Sequence, residues 1–294
     1  MLSILIPTKD YDCCKLVKAL HKQAEQTGYP FEIIVGEDGS TPGGLKLNAE
    51  LCNLANCRIV AMQQNVGRAR IRNILAKEAT HVNLLFIDSD AVVEHDDFIA
   101  KYIDILKQYK VVCGGLYHDN ELPWDDCTLR YKYEKRADKR RSAEIRSKLP
   151  YDNFTTFNFA IARELFTSIW FDEKIFLYGY EDTLFGHKLR EHGIEVKHID
   201  NPLRHTGLES NAVYLAKIEE SIKTLLTIED RIGETKLLKY ARRIKQLHLT
   251  KVVAICWKAM FPYLRCNLTG KHPSLFLLDI YKLGYLCHLS LKKQ

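Results

Sequence analysis

Several common signatures are missing from this 294-residue chain. No G-x-G-x-x-G follows the first apolar run and no G-x-x-x-x-G-K-[ST] occurs, which disfavours a dinucleotide site and a P-loop. The nine cysteines contain no C-x-x-C pair and no metal-ligand spacing. An odd number also excludes a complete internal disulfide set, so a reduced, cytoplasmic protein is expected. No stretch reaches the roughly 18 apolar residues of a spanning helix. The start, MLSILIPTKD, lacks a basic n-region and reads as a strand, not a signal peptide. Internal repeats and low-complexity segments are absent.

What is present begins with an apolar content of 46%, enough for a sizeable core. The net charge of +6 hides an asymmetry. From Arg231 onward there are thirteen Lys or Arg against two acids, Glu234 and Asp279, a net of +11, so residues 1–230 carry a net of −5. Two regions are therefore expected, an acidic globular domain over 1–230 and a basic, amphipathic helical region over 231–294.

Across the first hundred residues, apolar runs alternate with helical patterns. Strands are predicted at Leu2–Ile6, Phe31–Val35, Arg58–Met62 and Val82–Ile87, with helices over 12–27, 45–55 and 66–79. Such repetition implies an α/β fold with parallel strands and crossover helices. Ligands bind beyond the carboxyl ends of strands in such sheets. Here those ends read Pro7-Thr8-Lys9-Asp10, Glu37-Asp38-Gly39-Ser40 and Asp88-Ser89-Asp90.

Four constellations carry chemistry. Asp88 and Asp90, two apart in an extended chain, point the same way and suit a hard cation such as Mg²⁺ or Mn²⁺, although Asp and Ser also make ordinary turns. In NVGRARIRN, residues 65–73, Arg68 and Arg72 flank an apolar helical face, where a charge needs a partner. In FLYGYEDTLFGHKLREHG, residues 176–193, Asp182 sits where an N-cap would and Gly193 where a C-cap would. Glu181 is unnecessary for capping, so the pair also suits a general base. A helix N-terminus weakens such a base unless nearby negative charge raises its pKa again. His205, before Thr-Gly, could reach a metal, though a lone histidine is more often structural. The charge run over 130–148 reads as a solvated helix, a mobile loop, or a lid over an anionic ligand.

SILIPTKD, EIIVGEDGS, NVGRARIRN, FIDSD, the YGYED helix and the late histidine occur in the order found in family 2 glycosyltransferases, and the chain resembles that family from Leu2 to about Leu226. The resemblance implies a GT-A fold, a nucleotide-sugar donor, Mn²⁺ or Mg²⁺, and inversion at the anomeric carbon. It implies that Pro7 and Thr8 line the nucleoside pocket and that Asp38 receives the base, through the N3–H of uracil. Arg72 is implied beneath the nucleotide near Asp88. Asp88 and Ser89 belong to the donor side, with Asp88 on the ribose or the metal, while Asp90 and His205 hold the metal. Asp182 is implied as the base and Glu181 as an acceptor-orienting residue. Trp124 and Asn158 are further candidates for acceptor contact. Glu37 stands where the family often has a first aspartate, and the usual aromatic after G-x-x-E-D is not obvious, since Thr183 and Leu184 follow.

The expected activity is transfer of a sugar, from a UDP-sugar, to a hydroxyl of a glycan or lipid-linked acceptor in surface polysaccharide assembly. The competing classes are a nucleotidyltransferase, which usually has a Gly- and Lys-rich loop that IPTKDYD lacks, and a non-catalytic sugar-binding protein on the same fold. Residues 236–294 mix Lys and Arg with Trp257, Phe261, Tyr263, Phe276, Leu277, Leu278, Tyr281 and Tyr285. That composition resembles a helix pair on an anionic membrane, such as the inner face of the plasma membrane. An ordinary helical piece packed on the catalytic domain is the other reading. Nucleic acid is not expected, as no recognition motif is present.

Overall fold

The computed structural model describes residues 1–233 and 235–293; Glu234 and Gln294, counted above with the basic region, lie outside the described residues. The first stretch runs β1 (Leu2–Thr8), α1 (Cys14–Thr27), β2 (Phe31–Glu37), α2 (Pro42–Asn48), β3 (Cys57–Ala61), α3 (Arg68–Glu78), β4 (Asn83–Ile87), β5 (Ala91–Val92), α4 (Phe98–Ile105), β6 (Val111–Cys113) and β7 (Leu116–Tyr117). It continues with α5 (Thr128–Asp138), α6 (Ala143–Ser147), β8 (Asn158–Ala162), α7 (Arg163–Ile169), α8 (Glu181–Glu191), β9 (Lys197–His198) and β10 (Leu203–His205). Helices α9 (Asn211–Thr227), α10 (Lys236–Gln246), α11 (Thr250–Thr269) and α12 (Leu275–Lys292) follow.

The chain divides into two compact units. Unit 1 comprises Met1–Asp119, Lys139–Phe176 and Glu181–Gly207; unit 2 comprises Asn120–Asp138, Leu177–Tyr180 and Leu208–Gln294. Helix α9 thus groups with the C-terminal helices, so the second unit begins before residue 230.

Unit 1 is built on a seven-stranded sheet of order β3-β2-β1-β4-β8-β6-β9. Strands β1 to β4 are mutually parallel, while β8 runs antiparallel between β4 and β6. The continuous apolar runs of β1, β2 and β4 are those of strands covered on both faces. Period-two alternation then assigns each side chain to one of two cores. Leu2, Ile4 and Ile6 join Leu16, Val17 and Leu20 of α1 on one face. Leu5, Leu84 and Phe86 join Ile71 and Leu75 of α3, Phe166 of α7 and Phe185 of α8 on the other. From β1 the chain lays β2 and β3 on one side and β4 on the other. The order therefore reverses between β1 and β4, and a binding crevice is expected beyond their carboxyl ends.

A second sheet, of order β5-β10-β7, stands beyond that edge. Its antiparallel β5–β10 register sets His205 opposite Ala91, next to Asp90.

The charged run over 130–148 is not uniformly solvated. It forms α5 and α6, and Arg130 and Arg146 are buried. Arg146 donates to the carbonyls of Cys113, Gly114 and Ile199 and to His198 Nδ1 at 2.7 Å. Burial, with the Arg146 charge adding to it, lowers the His198 pKa to about 4. The neutral ring can then accept from Arg146 and donate to the Pro150 carbonyl, which lies 2.9 Å from Nε2.

Unit 2 is helical. Leu215, Ile218, Ile222 and Leu225 of α9 are buried, as their spacing predicts. Among the described residues the basic region forms three helices, α10 to α12, not a pair. Trp257, Leu278 and Tyr281 are buried, which removes them from the expected membrane-facing set; Tyr263 and Phe276 remain exposed.

Candidate active site

The crevice edge begins at Pro7 and Thr8, the last residues of β1, with Thr8 Oγ1 donating to the Tyr11 carbonyl. At the end of β2 the two acids diverge. Glu37 turns into the protein, accepting from Asn48 at 2.7 Å and Ser40 at 2.5 Å. Asp38 accepts the Val66 N–H at 2.6 Å and the Gly67 N–H at 3.2 Å, tying down the entry to α3. Each Asp38 oxygen keeps a second lone pair for a ligand. Gly39 is required here, because a Cβ would come within 2.2 Å of the Asn65 nitrogen.

The entry to α3 aims its arginines at the ends of β4 and the start of α8. Arg72 is 1% exposed. Its Nη2 lies 2.5 Å from Asp88 Oδ1, and its Nη1 donates to the Arg68 carbonyl and lies 3.8 Å from Glu181 Oε1. Arg68, about half exposed, approaches Glu181 at 3.6 Å. Two arginines and two acids thus link α3, β4 and α8, which satisfies a buried charge that would otherwise be costly.

Asp182 lies beside this chain. Helix α8 begins at Glu181, so Asp182 occupies its first turn instead of the N-cap expected above. Its Oδ1 accepts the Thr183 N–H at 2.6 Å. Burial, then the Glu181 charge, push its pKa up to about 6, outweighing the Thr183 bonds and Arg72. The weakening by a helix N-terminus is therefore overcome. The far end of α8 closes as its sequence predicts. Gly193 is left-handed (φ 64), with Gly193 N–H bonding to Arg190 and Ile194 N–H to Leu189, a Schellman ending.

The other acid of the β4 end, Asp90, faces β10. Its Oδ2 lies 3.0 Å from His205 Nε2, and its backbone carbonyl accepts from Thr206 N–H and Oγ1. Gly207 allows this approach, since a Cβ there would stand 2.0 Å from Asp90 Oδ2. Behind His205, its Nδ1 lies 2.9 Å from His118 Nε2, and both rings are buried. His118 was missed in the sequence. The parallel β7–β10 pairing, Arg204 opposite Tyr117, is what brings it alongside His205. Ser89 sits between the two acids, half-buried.

Two acceptor candidates separate. Asn158 is 0% exposed and fully engaged. Its amide donates to the Gly115 and Asn201 carbonyls, and its Oδ1 accepts from Tyr102 at 2.6 Å. It is a structural residue, and the acceptor contact expected of it is corrected. Trp124 belongs to unit 2 and is 46% exposed.

No cluster of three or more His, Cys, Asp or Glu able to hold a metal occurs among the described residues. Asp90 and His205 form a two-residue pair of carboxylate and imidazole. That donor set fits a Mn²⁺-type ion completed by substrate phosphates.

An α/β sheet whose switch point is lined by acids and arginines is the GT-A architecture, and known proteins share it. Residues 3–170 match the family described as glycosyl transferase family 2, and the chain belongs to that family. Chondroitin synthase of Escherichia coli is 24% identical over 242 residues, which cover 69% of this chain and 34% of that protein. The chain thus spans about a third of the length of that relative. The mannosyltransferase PcManGT from Pyrobaculum calidifontis, in complex with GDP-Man and Mn²⁺, superposes with a TM-score of 0.57 at 13% identity, covering 99% of this chain and 86% of that one. S. aureus TarS 1-349 in complex with UDP-GlcNAc gives 0.53 at 15% identity, covering 99% and 91%. At these identities the likeness is one of fold. Among the described residues no helix is long and apolar enough to cross a membrane.

Proposed function

We propose that this chain is an inverting transferase that moves a sugar from a UDP-sugar to a hydroxyl of a glycan or lipid-linked acceptor, in the assembly of a surface polysaccharide. The observation that carries the reading is the raised carboxyl of Asp182 beside the Arg68–Glu181–Arg72–Asp88 chain, on the carboxyl edge of the sheet. A base with a pKa near 6 is ionised at neutral pH yet basic enough to take a proton late in the attack. Asp182 takes the acceptor proton, and Glu181, held by the two arginines, orients the acceptor. Pro7, Thr8 and Asp38 receive the nucleoside, and Asp88 and Ser89 meet the donor next to Arg72.

Asp90 and His205, with Asp88 at the rim, would hold Mn²⁺ or Mg²⁺; such an ion supplies Lewis-acid neutralisation of the diphosphate leaving group. The His118 contact at Nδ1 holds the His205 ring with Nε2 toward Asp90, and would keep that nitrogen available to such an ion. The names of the relatives support a nucleotide-sugar donor and leave GDP-sugars as the competitor of UDP-sugars. The basic C-terminal region supports an anionic membrane surface as a partner, consistent with a lipid-borne acceptor and a location on the inner face of the plasma membrane.

The test is release of nucleoside diphosphate from UDP- and GDP-sugars with Mn²⁺, with and without glycan acceptors. Acceptor-stimulated release lost in Asp182→Asn, with donor binding kept, supports the reading. Nucleotide-sugar that neither binds nor is consumed would sink it.

A further inference from the structure

Helix α11 is apolar on two opposite sides. At 3.6 residues per turn, Ala254, Trp257, Leu264 and Leu268 form one stripe, and all four are buried within unit 2. Roughly opposite lie Val252, Ile255, Ala259 and Tyr263. Val252 is 53% exposed, Ile255 69% and Tyr263 62%. Leu247 and Leu249, in the turn leading into α11, are 66% and 43% exposed. Scattered apolar side chains on a surface need no explanation, but a continuous stripe of them does.

Lys251, Lys258 and Arg265, seven residues apart, form a row along one flank of this outer stripe, and all are exposed. Helices α10 and α11 together hold eight Lys or Arg and no acid. A second copy pairing through this face would offer the basic row no acid, since α10 and α11 hold none. An anionic bilayer satisfies both features, because its surface attracts the basic row while its acyl boundary takes the apolar side chains.

We propose that the outer face of α11, continued through the Leu247–Leu249 turn, is an in-plane docking surface for an anionic lipid bilayer. The proposal rests on the membrane partner named above and assigns it to this face. The aromatic residues that the sequence suggested are largely spent on the helical core. Aliphatic side chains entering the acyl boundary supply the apolar contact, and the basic row supplies selectivity for phosphatidylglycerol-type headgroups.

The experiment is flotation of the full chain with phosphatidylcholine vesicles and with phosphatidylcholine–phosphatidylglycerol vesicles. The expected result is recovery with the anionic vesicles only, diminishing as salt is raised. Combined Lys251→Gln, Lys258→Gln and Arg265→Gln should weaken partitioning about a hundredfold. Combined Val252→Ser and Ile255→Ser should weaken it at least about tenfold. Unchanged melting curves confirm that these exposed substitutions leave the fold intact. Flotation unaffected by either variant overturns the assignment to this face while leaving membrane binding itself intact. Absence of flotation overturns both. A dimer in solution that Ile255→Ser converts to a monomer overturns the proposal in favour of self-association. Nucleotide-sugar consumption, measured without vesicles, tests the transferase reading separately.

Discussion

Arg72 and Lys258 carry the same charge in the two units and sit in opposite settings. Arg72 is 1% exposed and lies within 2.5 Å of Asp88, behind the carboxyl ends of β1 and β4. Lys258 is exposed on α11, beside the apolar side chains of its outer stripe. At the crevice of the sheet unit, the arginine charge is drawn inward and matched by acids. In the outer part of the helical unit, charge and apolar groups share the surface without matching acids on α10 or α11. The first arrangement suits a single ligand in one orientation, because buried charges are costly unless their partners are fixed. The second suits an extended partner with no fixed register, since attraction to many charges needs no particular geometry.

Substitutions can break this contrast, beginning with the largest effect. Asp182→Asn should lower acceptor-dependent transfer by about a hundredfold to ten-thousandfold, with donor binding unchanged by calorimetry. Equal loss of binding would place Asp182 on the donor instead. Arg72→Met should cost about 3–5 kcal/mol in urea unfolding, because Asp88 and Glu181 lose a buried partner. Lys258→Met should stay within about 0.5 kcal/mol by the same measurement. If the two cost the same, the contrast between the units fails.

His118→Phe should weaken Mn²⁺ binding about ten- to a hundredfold in a titration of the free protein, where a purely structural loss would instead lower the melting temperature at unchanged affinity.

The pH dependence sharpens the same picture. With its pKa raised to about 6, Asp182 is mostly protonated below that value, so activity should climb about tenfold per pH unit below it and level off above. Because the folded pKa exceeds the ordinary value of 3.8, ionising Asp182 works against the fold. Its stability contribution is present at low pH and is lost as pH rises through about 6. Asp182→Asn should therefore stabilise the protein by about 1–3 kcal/mol at pH 8 and have little effect at pH 3, a trade of stability for reactivity.

The first four strands of the sheet were legible because parallel strands covered on both faces need unbroken apolar runs, as LSILI, EIIV and LLFI show, whereas the short β6, β8 and β9 of the less regular middle were not. Asp88, Asp90, Asp182 and His205 could be named because they stand where those runs end, or at the start or finish of a later element. Asn158 misled for a physical reason. An asparagine can as well serve a sugar as two backbone carbonyls, and what assigns it to Gly115, Asn201 and Tyr102 is packing of segments far apart in the chain. His118 stayed hidden because no periodicity marks it; it matters only through the pairing of β7 with β10. Arg146 looked solvated because its neighbours are charged, yet its carbonyl partners come from β6 and from the segment after β9.

By itself, the sequence determined the alternation of strands and helices, the acids at the strand ends and the basic character of the C-terminal helices, since each follows from local spacing and composition. Tertiary structure alone decided which acid is paired with arginine, which pairs with histidine, and how far the Asp182 carboxyl is raised. Those properties depend on burial and on charges within a few ångströms, and the chain contributes those charges from α3, β4, α8 and β10 only once the sheet has brought the segments together.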